Sequence, residues 1–433
     1  MENVSELDAL RRGDRAGARR LRLPGLAELP REIFALADTL EELDIDGGAL
    51  TSLPADMGRL RKLRVLFASG NRFERLPEAL GDCESLSQIG FRANRLREIP
   101  GEALPRELRW LTLTQNEIER LPEALAARPL LQKLMLAGNR LAALPRGLAE
   151  APALELIRLS ANRLETIPLW LADTPSLAWI SWSGNPAERA LAPAAAAVAR
   201  WEEIEVAERL GGGASGDVHR ALWRAGGAEA PRPVALKLFR GAMTSDGAPE
   251  SEMAASLAAG AHPRLVCALA RLEGHPEGRR GLLTPLLPAD WRALAGPPDV
   301  ATCSRDVYDA ALRFSPARAL RLARDIASAT AHLHARGVMH GDLYAHNILW
   351  DGCDGAATLT DFGAACALPA GEPGGRWRRI EVRAFGVLLA ELAARCDDEA
   401  AAATLRALAG DCVQPVTASR PSMADVAGAL GRA

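Results

Sequence analysis

Leu134-Met135-Leu136-Ala137-Gly138-Asn139-Arg140-Leu141-Ala142-Ala143-Leu144-Pro145 is one copy of a pattern that recurs through the first half of the chain. Its asparagine has counterparts at Asn71, Asn94, Asn116, Asn162 and Asn185, spaced by 22 or 23 residues. Pro54, Pro77, Pro100, Pro122, Pro145 and Pro168 keep the same period. Two residue types locked to one period exclude a chance run of Leu-rich helices. A single copy cannot bury its apolar side alone, so the copies must stack and share a core of Leu, Ile and Phe.

The pattern resembles the leucine-rich repeat. That resemblance implies a curved solenoid in which a short strand, here Leu134 to Leu136, lines the inner face. The asparagine turns inward, and its amide satisfies backbone groups of the neighbouring turn. Seven strand segments are expected, near residues 43, 66, 89, 111, 134, 157 and 180. The first has Gly48 where Asn is expected and reads as an atypical terminal repeat; residues 4–22 read as an amphipathic cap. The expected division is a cap over 1–20, repeats over 21–190, a linker over 191–200 and a second domain over 201–433. A solenoid of this kind binds partners through its strand face. Phe67, Trp110, Met135, Arg158 and Trp179 are candidate anchors for a protein partner, since Trp and Arg are favoured at binding hot spots. Trp179 has a second reading, as a cover for the end of the last repeat.

Composition sharpens the search for chemistry. Among 433 residues there are 49 Arg but only three Lys (62, 133 and 237), two Tyr and eight Asn. In a chain so biased towards Ala and Arg, the surviving Lys and Asn mark places where their chemistry is required. The net charge of −3 offers no basic face for nucleic acid. No apolar run approaches the roughly 20 residues of a membrane span, and the first residues do not read as a secretory signal. Seven scattered cysteines suggest neither a disulfide framework nor a zinc site. The expected location is cytoplasmic, with no nucleic acid and no membrane among the partners.

The second half carries motifs in a fixed order. Gly211, Gly213, Gly216 and Val218 fit G-x-G-x-x-G-x-V, in which glycines allow backbone N–H groups close to phosphates. A dinucleotide-binding reading of these glycines fails, because no helix begins at the third glycine and a second strand follows. That strand holds Val234-Ala235-Leu236-Lys237, whose lysine is the only one after residue 133. A compact ammonium suits phosphate oxygens where a planar guanidinium does not. Glu252, in a helical stretch, is the expected carboxylate partner of Lys237, with Glu250 as the alternative. Then come His340-Gly341-Asp342-Leu343-Tyr344-Ala345-His346-Asn347 and Asp361-Phe362-Gly363. Asn347 is the only asparagine of this half.

These motifs resemble the protein kinases, and the whole chain resembles bacterial-type leucine-rich-repeat protein kinases. The resemblance implies an α/β chain: a leucine-rich-repeat solenoid of short parallel strands followed by a two-lobed, protein-kinase-like α+β domain. It implies ATP and Mg²⁺ as cofactors. Lys237 and Glu252 would position phosphates, Val218 and Ala235 would roof the adenine, and Pro285 and Leu287 would lie on the hinge. Asp342 would be the base, and Asn347 and Asp361 would hold the metal.

There are departures from the family pattern. Gly341 stands where the family has Arg, which argues against control by phosphorylation of the activation loop. Tyr344 replaces a common Lys, and Glu381 replaces an Asp on the expected central helix. No A-P-E follows, so Arg420 lacks its usual carboxylate, and a platform for an extended peptide is in question. Three readings stand: a Ser/Thr-type protein kinase, a pseudokinase scaffold, and a small-molecule phosphotransferase like the aminoglycoside and choline kinases.

Overall fold

A computed structural model describes residues 2–432 apart from 190, 192–196, 214, 228, 229, 242 and 245. Its contacts divide the chain into two units. The first comprises Met1–Leu177, Asn185–Ala187 and Asp299–Ser304; the second comprises Ala178–Gly184, Glu188–Pro298 and Arg305–Ala433. The boundary expected from sequence is therefore crossed in both directions.

The first unit begins with the helix Glu2–Arg11 and continues as parallel three-residue strands paired in order, from Arg20–Arg22 to Leu156–Arg158. The central residue of each strand (Leu21, Leu43, Leu66, Ile89, Leu111, Leu134 or Ile157) is buried. The strand Arg20–Arg22 precedes those expected, so the cap ends earlier than residue 22. It went unread because its single apolar residue lies between two arginines. These pair across the strands, Arg20 with Glu42 at 3.0 Å and Arg22 with Asp44 at 3.1 Å.

The asparagine ladder has the expected chemistry. Asn139 donates through Nδ2 to the carbonyls of Leu113 and Leu136, both at 2.9 Å, and accepts the Ile118 N–H at 3.1 Å. Asn71, Asn94, Asn116, Asn162 and Asn185 repeat the acceptance one turn apart. Each asparagine thus satisfies buried backbone groups that would otherwise cost about 1–3 kcal/mol apiece. At Gly48 a side chain has no room, since a Cβ would lie 2.3 Å from the Leu26 carbonyl oxygen. The proline period has its own cause. Pro77, Pro100, Pro122, Pro145 and Pro168 each stand immediately before a 3₁₀ helix, with φ between −58° and −72°. The ring presets that angle, and the missing N–H leaves nothing unpaired.

The strand face departs from the expected binding surface. Phe67 and Trp110 are half-buried, with the Lys133 ammonium 4.1 Å from the Trp110 ring, whereas Met135 and Arg158 are buried. Within this unit the segment Asp299–Ser304 lies on that face: Gln88 donates to the Val300 carbonyl, and Gln132 to Ser304 Oγ at 2.6 Å.

The second unit opens with a six-stranded sheet ordered Ile204–Gly212, Gly216–Trp223, Arg232–Phe239, Gly281–Pro285, Ala270–Glu273, Ala197–Arg200. All neighbours are antiparallel except the last pair. Residues 197–200, expected to be linker, are thus an edge strand; Ala199 is fully buried in the core with Ile204, Trp223, Val234, Leu236 and Leu283. The rest of the expected linker lies largely outside the described residues. Helix Pro249–Ala259 follows the third of these strands and contacts the short strands Val338–Met339 and Cys366–Ala367; the helices Pro316–Ala335, Glu372–Ala393, Glu399–Cys412 and Met423–Arg432 complete the unit. The central helix starts at Glu372, nine residues before Glu381. Only residues 364–371 therefore separate Gly363 from that helix. Arg420 does not face solvent: it is fully buried and donates to the carbonyls of Gln414 (2.9 Å) and Arg379 (3.0 Å). Among the described residues no helix is long and apolar enough to cross a membrane.

Candidate active site

Lys237 sits mid-strand, opposite Val218 on one side and Leu282 on the other. Its ammonium pairs with the Glu252 carboxylate, which is only 6% exposed. Glu250, the alternative, pairs with Arg280 instead. Burial pushes the Glu252 carboxyl up and nearby Asp361 adds to this, while Lys237 opposes both. The ion pair fixes the ammonium inside the cleft, where it can face a phosphate oxygen.

The glycine-rich strands form a hairpin closed by Gly213 N–H donating to the Gly216 carbonyl at 3.0 Å. Its three glycines serve different ends. A Cβ at Gly211 or Gly213 would meet nothing within 4 Å, so their bare backbone faces open space. At Gly216 a Cβ would lie 2.4 Å from the Leu238 carbonyl oxygen, so strand packing demands glycine there. Asp217 then ties the hairpin to its neighbours, accepting from Arg209 (3.0 Å) and Arg240 (2.7 Å), which holds its carboxyl down at about 2. Sequence reasoning passed over this residue, which sits beside the glycine motif.

A cleft of about 590 Å³ lies beneath the hairpin. Val218, Ala235, Lys237, Glu252, Pro285, Leu287 and Asp361 all line it, as do Gly211, Gly213 and Gly216. Leu210, Leu282 and Leu349 line it too and had no motif to announce them. The apolar walls would receive a flat base, with the charged residues grouped around Lys237.

The remaining residues meet on adjoining loops. Asn347 donates both to the Asp342 backbone carbonyl (2.9 Å) and to its Oδ2 (2.7 Å). Thr360 donates its N–H and its hydroxyl to the Asn347 carbonyl, each at 2.9 Å, which links the loop to the residue before Asp361. His340 is fully buried; its Nε2 donates to the Thr360 carbonyl at 2.9 Å, so Nδ1 is free to accept the Asp342 N–H at 3.3 Å. Asp361 holds φ +60°, a strained backbone for a non-glycine residue. Its Oδ1 accepts the Gly363 N–H at 2.9 Å, and Phe362 is buried with its ring 5.5 Å from that of His340. Glu381 underpins the whole loop. Fully enclosed, it accepts the Gly341 N–H at 2.7 Å and faces His334 Nε2 at 2.8 Å.

The donor set suits a hard divalent cation. The Asn347 amide protons are committed to Asp342, which turns its carbonyl oxygen away from that residue, and Asp361 contributes a carboxylate. Asn347 and Asp361 are the residues that would hold Mg²⁺.

The two unusual loop residues, Gly341 and Tyr344, have a common neighbour in residues 179–181. Gly341 has φ +74°, and a Cβ there would lie 2.6 Å from the carbonyl oxygens of Ile180 and Ala364. No arginine fits in that space. Gly341→Ala is expected to lower stability by at least about 1–3 kcal/mol, with Gly341→Arg lower still, as read by thermal unfolding of the full chain. Trp179, a candidate partner anchor from sequence, is instead buried with its ring stacked on Tyr344 at 4.1 Å. It is not available to another protein.

Residues 204–372 match the sequence profile of the protein tyrosine and serine/threonine kinase family. A stretch of 116 residues is 39% identical to the human Leucine-rich repeat-containing protein 58, covering 24% of this chain and 31% of that protein. A stretch of 41 residues is 56% identical to the Arabidopsis thaliana serine/threonine-protein kinase AtPK1/AtPK6, covering 10% and 9%. A solved leucine-rich-repeat protein of Leptospira interrogans aligns with 41% of this chain and 52% of its own, at 27% identity and a TM-score of 0.36. The chain thus spans about a third of the length of the human relative and a smaller share of the plant kinase. Repeat ladder, ordered motifs and profile agree on the architecture: an array of leucine-rich repeats followed by a domain that matches the protein kinases over residues 204–372.

Proposed function

We propose that the chain is an ATP- and Mg²⁺-dependent protein kinase that phosphorylates a serine or threonine hydroxyl. The observation that carries this reading is the Lys237–Glu252 ion pair inside a cleft that Asp361 also lines, beside the Asn347–Asp342 pair. Lys237 binds phosphate oxygens and Glu252 orients it. Asp342 accepts the proton of the acceptor hydroxyl as its oxygen bonds to the γ-phosphorus and the bond to the leaving ADP oxygen breaks. Bound Mg²⁺ would neutralise phosphate charge. The stretch resembling a plant serine/threonine kinase supports the choice of hydroxyl. A protein partner or regulator is assigned to the repeat face at Phe67 and Trp110, which remain half-exposed.

One observation favours a second reading, transfer to a small molecule: residues 364–371 are too few to support an extended peptide. Transfer of label from γ-labelled ATP with Mg²⁺ tests both. Label on protein, abolished in Lys237→Met together with the ATP-induced thermal shift, supports the protein kinase. ADP release only with added hydroxylated metabolites would replace it with the second reading. No transfer at all would leave a scaffold.

A further inference from the structure

We propose that Trp179 is a positioning residue for phosphoryl transfer: the strand Trp179–Ser181 grips the catalytic loop on both sides of Asp342. This rests on the kinase reading above. By period, Trp179–Ser181 is the strand of the last repeat, yet its contacts place it in the second unit.

The grip has three points. The Trp179 indole N–H donates to the Leu343 carbonyl at 3.0 Å, immediately after the base. Its ring lies on Tyr344 at 4.1 Å with only 8° between the planes, and the Arg305 guanidinium lies 5.4 Å from the Trp179 ring. The Ile180 carbonyl fills the space where a side chain at Gly341 would stand, immediately before the base. Neighbouring contacts fasten the strand itself: Ser181 Oγ donates to the Asp246 carbonyl at 3.1 Å, and Trp182 packs on Trp377 of the central helix at 4.8 Å.

Tyr344 has a second ring neighbour that is itself held in place. The His346 ring lies 5.1 Å from it, and His346 is held by Asp306 through Nδ1 at 2.7 Å and its N–H at 3.0 Å. Tyr344 thus has ring neighbours in both Trp179 and His346. A loop held this way needs no added phosphate to order it, and the residue that would read such a phosphate is sterically excluded at position 341. A base displaced by about 1 Å loses on the order of a hundredfold in rate, so packing at Trp179 reaches the chemistry without touching substrate.

The test compares full-length wild type with Trp179→Ala and Trp179→Phe, the latter keeping a stacked ring while losing the N–H. Three quantities are read: kcat, KM for ATP, and hydrogen exchange of the amides in residues 338–348. Trp179→Ala is expected to lower kcat about 10–100-fold, to leave KM for ATP and the ATP-induced thermal shift near wild type, and to speed exchange in the loop. Trp179→Phe should recover most of the rate. Tyr344→Leu removes the stack from the other side and should reproduce the alanine result, which keeps the test decisive if Trp179→Ala does not fold. An active wild type whose Trp179→Ala and Tyr344→Leu variants keep kcat, or whose loop exchange is unchanged in them, would overturn the inference alone. A loss confined to stability, with phenylalanine no better than alanine, would also overturn it. A wild type that transfers phosphate to no protein or small hydroxyl acceptor overturns the kinase reading and this role together.

Discussion

Asp342→Asn is expected to reduce phosphoryl transfer by about 10²–10⁴-fold while leaving nucleotide binding intact. Asparagine is nearly the same size, and its carbonyl oxygen can still accept the 2.7 Å hydrogen bond that Asn347 donates to Oδ2. It cannot take a proton from an attacking hydroxyl. Lys237, Glu252 and the apolar cleft walls are untouched, so the thermal shift produced by ATP should match that of wild type. Asn347→Ala provides the contrast, because it removes a metal-ligand candidate and the group that fixes Asp342 together. A single-turnover assay with labelled ATP separates the two: retained binding with lost chemistry for Asp342→Asn, weakened metal dependence for Asn347→Ala. Wild-type transfer in Asp342→Asn would overturn the assignment of the base.

Glu381→Ala is expected to give the largest loss of stability of any single change near the site, about 3–5 kcal/mol. The carboxylate is sealed from solvent and serves the Gly341 N–H and His334 Nε2 at once. Removing it strands both in a dry interior. Glu381→Gln keeps an acceptor and a similar shape, so its cost should be smaller. Burial pushes the Glu381 carboxyl up, but its hydrogen bond to His334 and the Gly341 N–H hold it below its ordinary value of 4.5. A carboxyl depressed on folding stabilises the protein above the unfolded value, and that contribution is lost as pH falls through the folded one. Wild type should therefore lose stability on acidification below 4.5, and Glu381→Gln should lose less over the same range. Thermal unfolding from neutral to acid pH checks this; parallel curves would show that Glu381 does not supply the slope.

Much of the site was legible because a strong compositional bias removed the background. Lys237 and Asn347 stood out as rare residue types, whereas Glu252 was preferred with Glu250 left as the alternative, since both fall in one helical stretch. Tertiary contact then gave each its partner, Lys237 for Glu252 and Arg280 for Glu250. Pro285 and Leu287, expected on the hinge from the family likeness, both line the cleft. Asp217 and Leu349 were not legible, since an aspartate or leucine in this chain carries no information until its neighbours are known.

The amino-acid sequence alone determined the repeat array and the order of the kinase motifs. Both are written in short-range spacing: an asparagine bonds one turn away, and a glycine hairpin closes on itself. Only the tertiary structure decided why Gly341 and Tyr344 depart from the kinase pattern and which unit holds the last repeat strand. Trp179 and the Leu343 carbonyl that it binds are 164 residues apart. No periodicity or local propensity links positions at that separation, because their meeting is set by the packing of whole elements. A residue that reads from its period as a binding anchor is thereby spent on holding a catalytic loop.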